Sequence, residues 1–409
     1  MLFSKPSKAI GIDIGTHSVK AIQMSKAGGR MCVDQAGYAR IDPNKMNIDP
    51  LLAQAEALAE AIRNMPLPQS LVVGALPGQT VVIRYPRFAE MPLAELAVAV
   101  EKEAGQSIPY ELSDVFLDWT VLDRVIEAGE TKLKVLLVAA KHEVIDTRVQ
   151  VAQTADVKFG ILSVDSLALA DAAECCDFLR VGETVALVNL GASTTSIHFV
   201  KDGMSNFIRD VNWGARELIQ AIAKATRCDY VEAERQLLEF SADKNHPSQE
   251  APLPSPENAY VAEAEPPPES APVGGSMLDP FDDELDAMAE VSQKPPSPAA
   301  APAAATGLAD ILATPLGRLV TEIRRSFDYY EHQLYEKPVD RLILSGGAAH
   351  LGLLRDTLRE DLGMDQLELA DPARSRLHFS NEREVARMQE NSAPFMVALG
   401  LAARGMADL

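Results

Sequence analysis

The chain has 409 residues, 47% of them hydrophobic and 24% charged, enough for two or three domains with a sizeable core. Lys and Arg number 38 against 59 Asp and Glu, and the net charge of −21 gives no general attraction to nucleic acid or to an anionic membrane surface. Cys32, Cys175, Cys176 and Cys228 show no CxxC spacing and read as free thiols in a reducing compartment, not as a metal or redox site. No apolar run approaches the ~20 residues that span a bilayer. The start Met1-Leu2-Phe3-Ser4-Lys5 lacks a signal-peptide core, so the chain reads as cytoplasmic.

In chain order, Ala9-Ile10-Gly11-Ile12-Asp13-Ile14 reads as a buried strand ending in a turn, Gly15-Thr16-His17-Ser18. A second strand returns through Met24, and a third covers 31–38. Asp49-Pro50 opens a helix with Leu51, Leu58 and Ile62 on one face. A helix over 92–104 and a strand over 132–140 follow. Asp229 with Glu232 forms a capping box for a helix through Phe240. Residues 241–306 then carry 13 of the 26 prolines, with 2 basic and 12 acidic side chains, and read as a disordered insertion. Within it, Asp279-Pro280 could start a short acidic helix with Phe281, Leu285 and Met288 on one face, a possible partner site over 277–291. Thr314-Pro315 is expected to open a long helix with the stripe Leu316, Leu319, Ile323, Phe327, Tyr330 and Leu334. Arg324 and Arg325 beside its aromatic residues read as a solvated basic edge, not a nucleic-acid surface.

The most informative feature is an internal repeat. Residues 12–24 and 188–200 share a pattern in which Asp13 matches Asn189 and Gly15 matches Gly191, both 176 positions apart. Each copy runs strand, glycine turn with small hydroxyl residues, returning strand, third strand. Two such halves imply an α/β fold with mixed sheets covered by helices. A glycine lets each turn bend tightly and present N–H groups to an anion, and Thr16, Ser18, Ser193, Thr194 and Thr195 add hydroxyls. Facing turns would clasp phosphates from both sides. Asp13 suits Mg²⁺ through water, and Lys20 suits a phosphate. A strand over 339–344 leads to Ser345-Gly346-Gly347-Ala348-Ala349, where bare backbone lets a flat ring approach.

Gly11-Ile12-Asp13-Ile14-Gly15-Thr16, Leu187-Val188-Asn189-Leu190-Gly191 and Leu342-Ile343-Leu344-Ser345-Gly346-Gly347-Ala348 resemble the two phosphate motifs and the adenosine motif of the actin-like nucleotide-binding superfamily. Within it, residues 11–24, Leu76-Pro77-Gly78-Gln79 through Met91-Pro92, the helix around Glu322–Tyr330 and Ala393-Pro394-Phe395 resemble the PilM family of type IV pilus assembly proteins, related to the cell-division protein FtsA. The resemblance implies a duplicated actin-like fold of two lobes around a nucleotide cleft: 1–80 with 158–180, and 181–240 with 307–409. An inserted small α+β domain would occupy 81–157. It implies ATP with Mg²⁺ in the cleft. Asp13 and Asn189 would stand at the metal, and Gly15, Thr16, His17, Lys20, Gly191, Ala192, Ser193 and Thr194 at the phosphates. Gly214 and Glu217 would stand at the ribose, with Gly346, Gly347 and Ala348 under the adenine. It also implies the cytoplasmic N-terminal tail of a PilN-like membrane protein as partner, a link to the pilus motor ATPases, and membrane association only through proteins.

Asn189 replaces the usual Asp, and Asp165 through Asp171 offers no Gln or Glu for an attacking water. Both favour a nucleotide-binding scaffold over a fast enzyme, with no catalytic residue assigned. The alternatives are a small-molecule kinase or ATPase on this fold, or an FtsA-like polymerising protein. The chain's last eight residues carry one basic side chain, which disfavours the basic membrane helix of the latter.

Overall fold

The computed structural model describes residues 7–27, 30–127, 129–243, 307–380, 383, 388 and 390–407. The acidic 241–306 insertion lies outside these residues except for 241–243, which end a helix, and so does the expected helix over 277–291.

Period-two alternation in the first strand divides two environments. In Lys8–Ile14, Ile10, Ile12 and Ile14 share one core with the helices Pro50–Ala61 and His142–Thr154. The opposite face is small, and the helix Met396–Met406 lies against it at backbone distance. A Cβ on Gly11 would stand 2.0 Å from the Ala398 carbonyl oxygen.

The strands in chain order are Lys8–Ile14 (β1), Ser18–Ala27 (β2), Arg30–Arg40 (β3), Leu71–Leu76 (β4), Val81–Arg84 (β5), Arg87–Ala89 (β6), Val115–Glu127 (β7), Glu130–Lys141 (β8), Ile161–Val164 (β9), Thr184–Leu190 (β10), Thr195–Lys201 (β11), Met204–Val211 (β12), Arg341–Ser345 (β13), Leu367–Leu369 (β14) and His378–Phe379 (β15). One sheet has the order β15-β3-β2-β1-β4-β9, the other β12-β11-β10-β13-β14. In each, an antiparallel meander of three strands is continued by two parallel strands on its far side. The registers agree as well: Asp13 pairs with Lys20 in one sheet and Asn189 with Ser196 in the other. The repeat read from the residues is thus a repeat of topology.

The helices Asp165–Cys175 and Met396–Met406 lie between the sheets. Their shared core takes Ala9, Ile22 and Met24 from the first and Val185, Leu187 and Ile343 from the second. Ala215–Thr226 and Leu308–Asp328 cover the outer face of the second sheet through Leu218, Ile222, Leu312, Leu319 and Ile323. The inserted strands β5 to β8 form a third sheet, capped by the helix Leu93–Ser107 through Leu96, Val100 and Ala104.

Several expectations shift. The long helix begins at Leu308, and Pro315 lies inside it. One missing N–H costs less than the burial of Leu312, Leu316, Leu319 and Ile323 returns, and the Pro315 carbonyl accepts the Trp213 indole N–H at 2.8 Å. Residues 307–409, expected in the second half, divide between both: β15 pairs with β3, and Met396–Met406 packs against β1. The helix His142–Thr154, expected in the insertion, packs Val151 and Ala152 into the core under β1. Asp49 and Asp229 cap their helices, accepting from the amides of Leu52 at 3.0 Å and Glu232 at 2.8 Å, but the Glu232 carboxylate takes Arg235 and Gln236 instead of closing the expected box.

The helix between the sheets has no room for side chains where backbones meet. A Cβ on Gly400 would lie 1.7 Å from the Ala168 carbonyl oxygen. Gly400→Ala should lower unfolding free energy by about 2 kcal/mol or more, read from urea midpoints. Gly317→Ala, on an exposed helix position with open space around it, should gain up to about 1 kcal/mol. Equal midpoints for the two variants would contradict the packing described.

Candidate functional site

The two sheets bring the two glycine turns face to face. The Gly15 amide donates to the Ser18 carbonyl at 3.2 Å, and the Gly191 amide to the Thr194 carbonyl at 3.0 Å, so both turns close in the same way. Among the described residues, the amides of Thr16, His17, Ala192 and Ser193 donate to no backbone carbonyl. The turns touch at one point, where the Thr16 and Ser193 hydroxyls stand 2.9 Å apart. Around this contact lies a cleft of about 620 Å³ lined by both turns, the carboxyl ends of β1 and β10, and residues 346–351.

A left-handed glycine shapes the third wall. Gly346 has φ +92°, and a Cβ there would stand 2.4 Å from the Leu190 carbonyl oxygen and 2.5 Å from Asn189 Oδ1. Gly347 has nothing within 4 Å of where its Cβ would be, so bare backbone faces open space. Ile219, Leu237 and Leu238 supply apolar surface to the same cleft. Opposite them, Arg40 and His17 approach Glu234, the imidazole at 3.7 Å, and bridge the cleft from the first sheet to the helix Tyr230–Asp243. Burial and the Arg40 charge lower the His17 pKa.

The floor is acidic. Asp13 holds Lys20 at 3.2 Å, a direct result of their pairing across the turn. Asp165, at the start of its helix, accepts the Gly78 amide at 2.9 Å and that of Ser166 at 2.6 Å. Asp210 comes so close that a Cβ on Gly78 would meet its Oδ2 at 2.4 Å. Burial, then the Asp210 and Asp13 charges, push the Asp165 carboxyl up to about 8. Burial raises Asp210 to about 6. Arg148, itself buried, donates to the Ile14 carbonyl at 3.1 Å beside this group. Gln54 steadies the first turn, donating to the Gly15 carbonyl at 3.1 Å.

Asp13, Gly15, Thr16, His17, Lys20, Asn189, Gly191, Ala192, Ser193, Thr194, Gly346, Gly347 and Ala348 all line the cleft. Gly214 and Glu217 do not. Gly214 packs behind the second turn, where a Cβ would lie 2.4 Å from Ala192, and Glu217 turns away to Arg318 at 2.6 Å. Their helix offers Arg216 and Ile219 to the cleft instead, because Glu217 sits a different way round the helix. Sequence reasoning passed over Asp165, Asp210, Arg148 and Gln54. Only the fold brings these distant positions together. Asp165 has a local signal, an acid at a strand-to-helix junction.

A family model described as type IV pilus assembly protein PilM matches residues 11–248 and 307–406. The chain belongs to the PilM family. A solved PilM-PilN type IV pilus biogenesis complex contains a chain similar over 98% of this one and 99% of its own length, with a TM-score of 0.71 and 22% identity. At that identity the likeness speaks for the fold, which is the duplicated actin-like one. Ethanolamine utilization protein EutJ from Carboxydothermus hydrogenoformans (TM-score 0.46, 12% identity, 98% of this chain and 90% of that one) is more distant. So is MreB 5 of Spiroplasma citri bound to AMPPNP (TM-score 0.44, 10% identity, 97% and 95%). No described helix of this PilM-family chain is long and apolar enough to cross a membrane.

The raised carboxyls have a consequence for stability. A carboxyl held above its unfolded pKa stabilises the fold fully at low pH, and that contribution is lost as pH rises through the folded value. Without ligand, urea midpoints should therefore fall between pH 5 and pH 9, by at most about 1.4 kcal/mol per pH unit for each proton released. Asp165→Asn should flatten the upper part of that fall. An unchanged slope in the variant would remove Asp165 as its source.

Proposed function

We propose that this PilM-family protein binds ATP with Mg²⁺ in the cleft and acts in type IV pilus assembly as a nucleotide-dependent scaffold. The single observation that carries the reading is the meeting of two equivalent glycine turns, through the Thr16 and Ser193 hydroxyls, over a cavity wide enough for a nucleotide. The free amides of both turns, with Thr16, Lys20, Ser193 and Thr194, are the phosphate ligands, and the bare backbone at Gly346 and Gly347 takes the base.

The residues fit a magnesium ion. Among the described residues no group of three or more His, Cys, Asp or Glu could hold a metal alone, which suits an ion held through phosphate oxygens and water. Asp13 and Asn189 would hold it, and its charge would relieve the crowding of Asp13, Asp165 and Asp210. Bound there, it supplies neutralisation of phosphate charge. Asn189 brings no charge of its own. A weaker hold on the ion weakens activation of water, so turnover is slow.

Binding that touches both lobes favours one angle between them. PilN accompanies the similar chain in the solved complex. For this chain we take the partner to be a PilN-like cytoplasmic tail received at the inserted unit, the sheet β5 to β8 with the helix Leu93–Ser107. Through that partner the protein reaches the inner membrane, and it relays the pilus motor ATPases to the envelope complex.

A paired measurement tests the nucleotide site: calorimetry with Mg-ATP and phosphate release under single-turnover conditions. Asp13→Ala should weaken Mg-dependent affinity about tenfold or more, the loss of one ion contact. Release in the unaltered protein should run well below the ~1 s⁻¹ of an ordinary enzyme. An unchanged dissociation constant, or release at an enzyme's rate, would overturn the reading.

A further inference from the structure

The inserted unit is covalently part of the first lobe, yet Tyr85 and Lys134 make polar contacts to the second. Tyr85, between β5 and β6, has its hydroxyl 2.6 Å from Ser205 Oγ on β12. Ser205 Oγ lies 2.8 Å from Nε2 of His198 on β11, and His198 Nδ1 lies 2.8 Å from the Ser166 carbonyl oxygen. A carbonyl only accepts, so the proton sits on Nδ1 and Nε2 accepts from Ser205, which in turn accepts from Tyr85. The chain of donors has a single direction. Burial keeps the imidazole neutral, with its pKa lowered to about 4.

A second contact lies beside the first. Lys134 of β8, 9% exposed, donates to Asn206 Oδ1, and Asn206 Nδ2 donates to the Tyr330 hydroxyl at 2.8 Å. The Lys134 ammonium also lies 5.4 Å from the centre of the Tyr85 ring. Between these polar points and the cleft, Ile208 of β12 packs in one cluster with Val81 and Ile83 of the insertion, Leu136 of β8, and Val164 and Leu167 of the first lobe. Asp210, two residues further along the same strand, reaches the nucleotide cleft over Gly78, where the insertion begins. One strand thus has its cleft end against Gly78 and Asp165 and its other end against Tyr85 and Lys134. Ser166, which holds His198, directly follows Asp165.

We propose that Tyr85, Ser205, His198, Lys134 and Asn206 form a fixed joint that makes the inserted unit move with the second lobe, so that occupancy of the cleft is transmitted along β12 to the insertion. The residues are positioning residues: none touches the cleft. Breaking the joint leaves buried hydroxyl, imidazole and amide groups unpaired, each a substantial penalty. Lobe rotation therefore carries the insertion along and does not tear it from β12. The inference rests on the nucleotide reading above.

Amide hydrogen exchange of the full chain, read by mass spectrometry with and without Mg-ATP, tests it. In the unaltered protein Mg-ATP should slow exchange in both turns, 15–20 and 191–195, and also in 81–89 and 204–207, by roughly fivefold or more. Ser205→Ala should keep the protection of the turns and lose that of 81–89. Tyr85→Phe, which removes one hydroxyl and little volume, should do the same if the first variant folds poorly. Protection confined to the turns of the unaltered protein, or retained at 81–89 in both variants, would overturn the joint while leaving the nucleotide site standing. No protection anywhere would overturn both.

Discussion

Everything in this molecule depends on how closely two backbones pass between the sheets. Gly11 on β1 and Gly400 on the helix Met396–Met406 each leave no space for a Cβ, with carbonyl oxygens at 2.0 and 1.7 Å from where one would be. Small residues let the helices Asp165–Cys175 and Met396–Met406 lie flat between two sheets and share one core with both. That spacing sets the distance between the carboxyl ends of β1 and β10. The contact of Thr16 with Ser193 at 2.9 Å, 177 residues apart, is the visible consequence.

From this spacing follows the electrostatics of the cleft. Donors sit at the rim, where the turns leave amides without backbone partners, and acids sit on the floor around Asp13, Asp165 and Asp210. Burial raises the last two toward their neutral forms, and a cation bound beside them would favour the charged forms.

Much of the fold was legible because it is encoded twice. The matching of Asp13 with Asn189 and Gly15 with Gly191 foretold a repeated topology, and the structure repeats even the strand register. The two glycine turns and the Gly346–Gly347 backbone were legible because glycine there answers a local steric demand that leaves a mark in sequence. Three things were not legible. The chain's return to the first sheet through β15 and Met396–Met406 is a long-range pairing with no local signature. Pro315 looked like a helix start because a proline's local preference is strong, yet the buried stripe on either side of it outweighed that preference. Asp210 reached the floor only because β12 lies at a sheet edge against the insertion.

The most direct measurement is a crystal structure of the full chain grown with Mg²⁺ and a nonhydrolysable ATP analogue. The expected result is phosphates between 15–20 and 191–194, the ion beside Asp13, and the base against Gly346 and Gly347. An empty cleft at saturating analogue, or a nucleotide bound outside it, would contradict the account.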